Sequence, residues 1–108
     1  MKVYHATNFD NLSSIIVNGL QPSGEGIFFA EGFEQALAFM FFRNYSSVVV
    51  LELEIEEFEL KESFDHSENR FCKLFGLESC KAWVYHSPIP AHDLNLEKAR
   101  IYDMKRGK

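Results

Sequence analysis

The chain lacks most of the residue patterns that announce a particular chemistry. It has two cysteines in 108 residues, Cys72 and Cys80, eight positions apart. Neither belongs to a Cys-x-x-Cys pair or a Cys/His cluster, so nothing in the spacing supports a zinc site. A disulfide between them is open on spacing, but no feature points to secretion, and reduced thiols in a cytoplasmic protein are the expectation. The opening MKVYHATN carries no apolar targeting segment. The longest apolar run is well short of the roughly 20 residues that cross a bilayer, and no membrane partner is expected. An excess of basic charge is also missing. The 11 Lys and Arg stand against 16 Asp and Glu, for a net charge of −5 and a pI near 5.3. Proteins that grip the phosphate backbone generally need a basic face, so the charge argues against a general binder of that class and leaves room for a small local anion site. There is no GxSxG, HExxH, P-loop or GxGxxG. The four histidines, His5, His66, His86 and His92, are spread too widely to read as a metal cluster. With no repeat, low-complexity tract or linker, residues 1–108 read as a single domain with a single core.

What the chain does have is phenylalanine, 11 in all, which points to a core of large flat side chains. The stretch Gly26–Phe42, GIFFAEGFEQALAFMFF, concentrates them. Ile27 to Ala30 reads as a short buried strand, broken by Glu31 and Gly32. Glu34 to Phe42 then reads as a helix that is apolar almost all round. Such a helix must be covered on most sides or must line a pocket.

The remaining elements follow from periodicity. Lys2 to His5 suits a first strand. Thr7 or Asn8 can cap a helix whose apolar face is Phe9, Leu12, Ile15 and Ile16, and Gly19 terminates it. Gln21 to Gly26 is a loop rich in turn residues. Val48 to Ile55, VVVLELEI, is the clearest strand, with Glu52, Glu54 and Glu56 on a wet face and Phe58 and Leu60 as a possible continuation. Glu62 to Asn69 is polar and reads as a loop, and Arg70 to Leu77 as a short helix or irregular chain. Lys81 to His86 and Ala99 to Met104 read as the last strands. The order β-α-β-α-β-loop-β-β indicates an α+β fold.

Several residues carry candidate chemistry without reference to any family. Cys72 or Cys80 beside a histidine would make a nucleophile pair. Asp65-His66-Ser67 places an acid, a base that titrates near neutrality and a hydroxyl together. Neighbours on extended chain point in opposite directions, so the three do not converge as a triad, and an Asx-type turn is the plainer reading. Arg43, Arg70 and Lys73 are candidates for a pyrophosphate contact. His5 reads either as a ligand-facing group or as a strand histidine bonded to the backbone.

The succession Tyr4-His5-Ala6-Thr7, a helix closing at Asn18-Gly19-Leu20, then Gly26-Ile27-Phe28-Phe29-Ala30 and Ala36 to Phe39 resembles the ADP-ribosyltransferase-like superfamily. The likeness is to the branch of the poly(ADP-ribose) polymerases, the tRNA 2′-phosphotransferases and DNA-modifying relatives. It covers about the first forty residues, and the order and spacing of short pieces carry it. The resemblance implies a compact fold of small split antiparallel or mixed sheets with two helices, and NAD as substrate. It implies that His5 contacts the ribose beside nicotinamide and that Thr7, or the backbone at Ala6, meets the carboxamide or that ribose. Phe28 and Phe39 fall where the branch places its two nicotinamide-stacking aromatics. A Phe in place of Tyr keeps the flat face and loses only a hydroxyl. Two departures stand out. Ala6 occupies a position usually held by Gly, and the usual late-strand Glu falls near Ala82. Asp65, with His66 in the same loop, or Glu78 is then the candidate to replace that carboxylate.

Two functions follow as expectations. One is transfer of ADP-ribose from NAD to a protein or nucleic-acid acceptor, with phosphotransfer from 2′-phosphorylated RNA as a variant. The other is a catalytically diverged module that binds a nucleotide or a protein as an inhibitor or regulator, as the missing Glu and the acidic charge suggest.

Overall fold

The valine-rich segment becomes the strand on which the others assemble. In the computed structural model, which describes residues 1–63 and 68–104, Ser47–Glu54 forms β3. Its β-branched side chains suit a pleated surface packed on both faces, and Val48, Val49, Val50 and Leu51 are all buried. β1 (Lys2–Asn8) pairs with it antiparallel through seven successive residues, from Lys2 opposite Glu54 to Asn8 opposite Val48. The amino terminus reinforces this register, donating to the Ile55 carbonyl at 2.8 Å and lying 2.8 Å from the Glu54 carboxylate. With β2 (Ile27–Ala30), β4 (Lys61–Ser63), β5 (Ala82–Tyr85) and β6 (Arg100–Asp103), the sheet has the order β4-β5-β2-β1-β3-β6, antiparallel throughout.

Strand alternation divides the core between the two faces of this sheet. Val3, Ile27, Phe29, Val49, Leu51 and Leu53 point one way and join Ile15, Leu20, Ile89 and Leu94. Ala30 and Val50 point the other way and meet Ala36, with Tyr4, Ala6, Phe33 and Phe39 around them. α1 (Leu12–Asn18) carries Ile15 on the first face, and α2 (Phe33–Phe39) carries Ala36 and Phe39 on the second. Alanines at 36 and 38 are both buried, which lets α2 lie close against the strands.

α+β is the class observed, and several finer expectations need correcting. The strands form one six-stranded sheet rather than small split sheets. β1 and β2 are nevertheless joined through a single register pair, Tyr4 opposite Ala30. Beyond it the Phe28 carbonyl bonds to the His5 ring, and no further register pair continues the ladder. The described helices number three rather than two, because Glu68–Phe75 forms α3 where the sequence left helix and irregular chain both open. Glu62 and Ser63, expected in a loop, belong to the edge strand β4. Phe58 does not continue β3; Glu57–Glu59 is a single 3₁₀ turn. The first strand runs on to Asn8, whose side chain caps a 3₁₀ turn by accepting from the Asp10 amide at 3.1 Å.

α2 stops at Phe39 instead of Phe42. The Met40 and Phe41 amides bond to the carbonyls three residues earlier, each at 3.0 Å, tightening the last turn. The sheet covers only one side of the helix, so a wholly apolar segment cannot bury all its side chains there. Phe41 and Phe42 turn outward and are 60% and 69% exposed.

Cys72 and Cys80 form no disulfide. No described helix is long and apolar enough to cross a membrane.

Candidate functional site

The parting of β1 from β2 is where the sequence-predicted residues gather. A cavity of about 560 Å³ lies along it, lined by Tyr4 to Thr7 on β1, by Ile27, Phe28 and Ala30 on β2 and by Ala36 and Phe39 on α2. Its volume falls within the roughly 300–1,000 Å³ typical of small-molecule sites. His5, Ala6, Thr7, Phe28 and Phe39 therefore share one cavity. They reach it from different sides. His5 alternates with Tyr4 and Ala6 along β1 and meets Phe29 edge-on, with ring centroids 5.8 Å apart. Phe39 and Ala6 pack on the α2 face. The gap between the strands opens the cavity to groups that an unbroken sheet would separate.

His5 is bonded to the backbone, one of the two readings weighed for it, and it also lines the cavity. Its Nδ1 lies 2.8 Å from the Phe28 carbonyl oxygen. A carbonyl only accepts, so Nδ1 carries the proton and Nε2 of the neutral ring is the acceptor. Burial pushes the imidazole below its ordinary value of 6.5, and the bond to Phe28 opposes that shift in part. A ring held neutral in this tautomer can accept a hydrogen bond from a hydroxyl in the cavity. The Thr7 hydroxyl accepts from the Asn11 side-chain amide nitrogen at 2.9 Å and keeps its own proton to donate. Beside His5, β1 brings Tyr4, the small Ala6 and Thr7 to the cavity.

The loop between α1 and β2 forms a second wall. Ser23 Oγ donates to the Gly26 carbonyl at 3.1 Å and accepts from the Glu25 amide at 3.3 Å, and the Gly26 amide bonds to the Ser23 carbonyl at 2.9 Å. Gly26 has φ +101°, and a Cβ there would meet Val84 Cγ2 at 2.5 Å and the Tyr85 carbonyl at 3.0 Å. Only glycine fits that backbone and that space. The loop brings Gln21, Ser23 and Glu25 to the cavity, and the chain beyond α2 brings Met40, Arg43 and Tyr45. Sequence reasoning missed Glu25. The cluster of turn residues around it, which is where polar groups are carried to a site on an irregular segment, was the available signal.

Ala82 lines the cavity from β5, paired with Ala30 on one side and Ser63 on the other. The position expected near a carboxylate therefore reaches the cavity and presents a methyl group. Glu78 does not stand in for it. It is exposed, ahead of β5, and does not line the cavity. The chain there is tied elsewhere, with Gln35 Nε2 donating to the Ser79 carbonyl at 2.9 Å. Asp65 and His66 lie outside the described residues, two and three positions after Ser63, which does line the cavity. Among the described residues, Glu25 is the carboxylate at this cavity and Arg43 the cation. Arg70 and Lys73, on α3, do not line it. No cluster of three His, Cys, Asp or Glu suited to a metal occurs among the described residues. Neither a protein-family model nor a curated protein matches this chain.

Proposed function

We propose that this chain is an ADP-ribosyltransferase-like protein that binds NAD in the β1–β2 cavity and transfers ADP-ribose to an acceptor. The observation that carries the reading is the convergence on one cavity of His5, Phe28 and Phe39, the three residues named for that role by their order in the chain. Phe28 and Phe39 supply flat apolar surface for the nicotinamide ring. Nε2 of His5 accepts from a ribose hydroxyl. Arg43 at the cavity provides a cation for a phosphate.

The reaction breaks the bond between ribose C1′ and the nicotinamide nitrogen. Nicotinamide leaves with the electron pair as a neutral molecule, and C1′ becomes cationic. A carboxylate near C1′ stabilises that charge electrostatically, and Glu25 is the described group able to supply it. The acceptor oxygen or nitrogen then bonds to C1′ and gives up its proton to solvent or to a neutral base. The protein's part is positioning and charge stabilisation.

The alternative is a diverged module that binds the nucleotide without turning it over, and the methyl group of Ala82 favours it. One pair of measurements separates the two. Labelled NAD incubated with the protein and a cell lysate gives a labelled macromolecule under the first reading, and His5→Ala loses the label. Under the second no label appears, yet NAD still raises the melting temperature, because a ligand specific for the folded state stabilises it by mass action. An NAD-insensitive melting temperature together with no label would refute both readings.

A further inference from the structure

The two edges of the sheet differ in how they meet solvent. β4 carries Lys61, Glu62 and Ser63, a short charged edge of the kind that resists pairing with another strand. β6 instead leaves Ile101 58% exposed in its middle. Its backbone is turned for pairing as well. The Met104 amide bonds to the Ser46 carbonyl at 2.8 Å. An antiparallel ladder alternates, so Tyr102 and Arg100, opposite Val48 and Val50, also turn their amides and carbonyls toward β3. Ile101, between them, turns both groups outward. Among the described residues no strand lies beyond β6 to receive them.

We propose that β6 pairs antiparallel with β6 of a second copy of this chain, about a two-fold axis that passes between the two Ile101 residues. A second copy is the occupant because this edge is complementary to itself. With Ile101 opposite Ile101, the two residues exchange both backbone bonds and their apolar side chains meet. Arg100 then lies opposite Tyr102 of the other copy, twice, on the α2 face of the joined sheet. Arg100 already stands over the Phe33 ring at 4.7 Å, and Phe33 lies 5.0 Å from Tyr102, so the pairing sets each guanidinium among rings from both copies. Other registers are worse. A slide of one residue opposes side chains that point to different faces. A slide of two sets Arg100 against Arg100 in one direction and Ile101 against Asp103 in the other. A four-residue edge is smaller than the roughly 800 Å² per partner of a tight complex, so the dimer is a weak one. β3 and β1 separate this edge from β2, so the pairing does not depend on the NAD reading.

The test is sedimentation equilibrium of the full chain in reducing buffer, over concentrations up to about 1 mM, with oxidative cross-linking of variants. The mass should rise with concentration from 12.5 kDa toward twice that value. Ile101→Pro removes only the outward amide, a change that an edge strand tolerates on its solvent side, and should abolish the rise. Ile101→Lys places like charges on the axis and should do the same. Ile101→Cys gives a positive readout that needs no loss of structure. Directly opposed residues of such a pair have Cα atoms about 5.5 Å apart, within the span a disulfide bridges. Mild oxidation should therefore link two copies through the introduced thiols, faster than in Arg100→Cys and in the wild type, whose Cys72 and Cys80 are free. A chain that stays monomeric up to about 1 mM overturns the proposal. So does a dimer that Ile101→Pro and Ile101→Lys leave unchanged, or a link that forms as fast through Arg100→Cys.

Discussion

At the residue scale, one hydrogen bond decides what His5 can do. The Phe28 carbonyl holds Nδ1 protonated and leaves Nε2 as an acceptor, while burial lowers the pKa from 6.5. The same shift has a consequence for stability. The unfolded chain takes up a proton on this ring at a higher pH than the folded chain does. Stability from His5 is therefore fully present above about pH 6.5 and is lost as the pH falls toward the lower folded value. The melting temperature of the wild type should drop between pH 7.5 and 5.5, and His5→Gln should flatten that part of the profile. An unchanged slope in the variant would show that the ring is not held neutral. Glu52 governs a different window. Burial alone would raise its carboxyl, but the Lys98 ammonium, Lys2 and the Tyr4 hydroxyl together hold it below its ordinary 4.5. Its contribution is present above pH 4.5 and lost below, so Glu52→Gln should alter the acid limb and leave the His5 window intact. Circular-dichroism melts of the two variants across pH 3.5 to 7.5 separate the effects. Ala82 makes the complementary point. Its place on the late strand was readable from the sequence. That it reaches the cavity while Glu78 does not depends on the pairing of β5 with β2 and β4.

At the scale of elements, the loop before β2 and the end of α2 shape the site. Gly26→Ala forces a Cβ into Val84 and the Tyr85 carbonyl at positive φ. It should destabilise the protein by at least about 1–3 kcal/mol in urea unfolding, and the NAD-induced rise in melting temperature should shrink, because Glu25 and Ser23 are carried on that turn. Gly19 is similarly constrained, since a Cβ there would run into the Ile89 carbonyl. By contrast, Phe41→Ala and Phe42→Ala touch exposed rings. They should change stability by only about 0.5 kcal/mol each, read by urea unfolding. The strong periodic elements were legible. Val48 to Ile55 is β3 to within a residue at each end, and Lys81 to His86 contains β5. The end of α2 was not legible, because hydrophobicity alone does not say how many sides of a helix the rest of the chain will cover.

For the whole molecule, the packed sheet sets the cost of change. Leu51 sits on the central strand with 1% of its surface exposed. Leu51→Ala should cost about 2–5 kcal/mol, far more than breaking the solvent-screened Lys98–Glu52 pair, both measurable by denaturant titration. The sequence by itself determined the α+β class, the order of the main strands and helices and the identity of His5, Phe28 and Phe39 as residues to watch. These follow from local periodicity, turn chemistry and a spacing that resembles a known superfamily. Only the tertiary structure decided that the strands form one sheet and that β1 and β2 part after Tyr4 and Ala30. It alone decided that Glu25 and Arg43 meet the same cavity and that Phe41 and Phe42, against a half-buried Phe75, are left in solvent. The physical reason is common to all of these. Side-chain direction along one element is fixed by the backbone's own period, whereas which elements become neighbours depends on contacts between residues far apart in the chain.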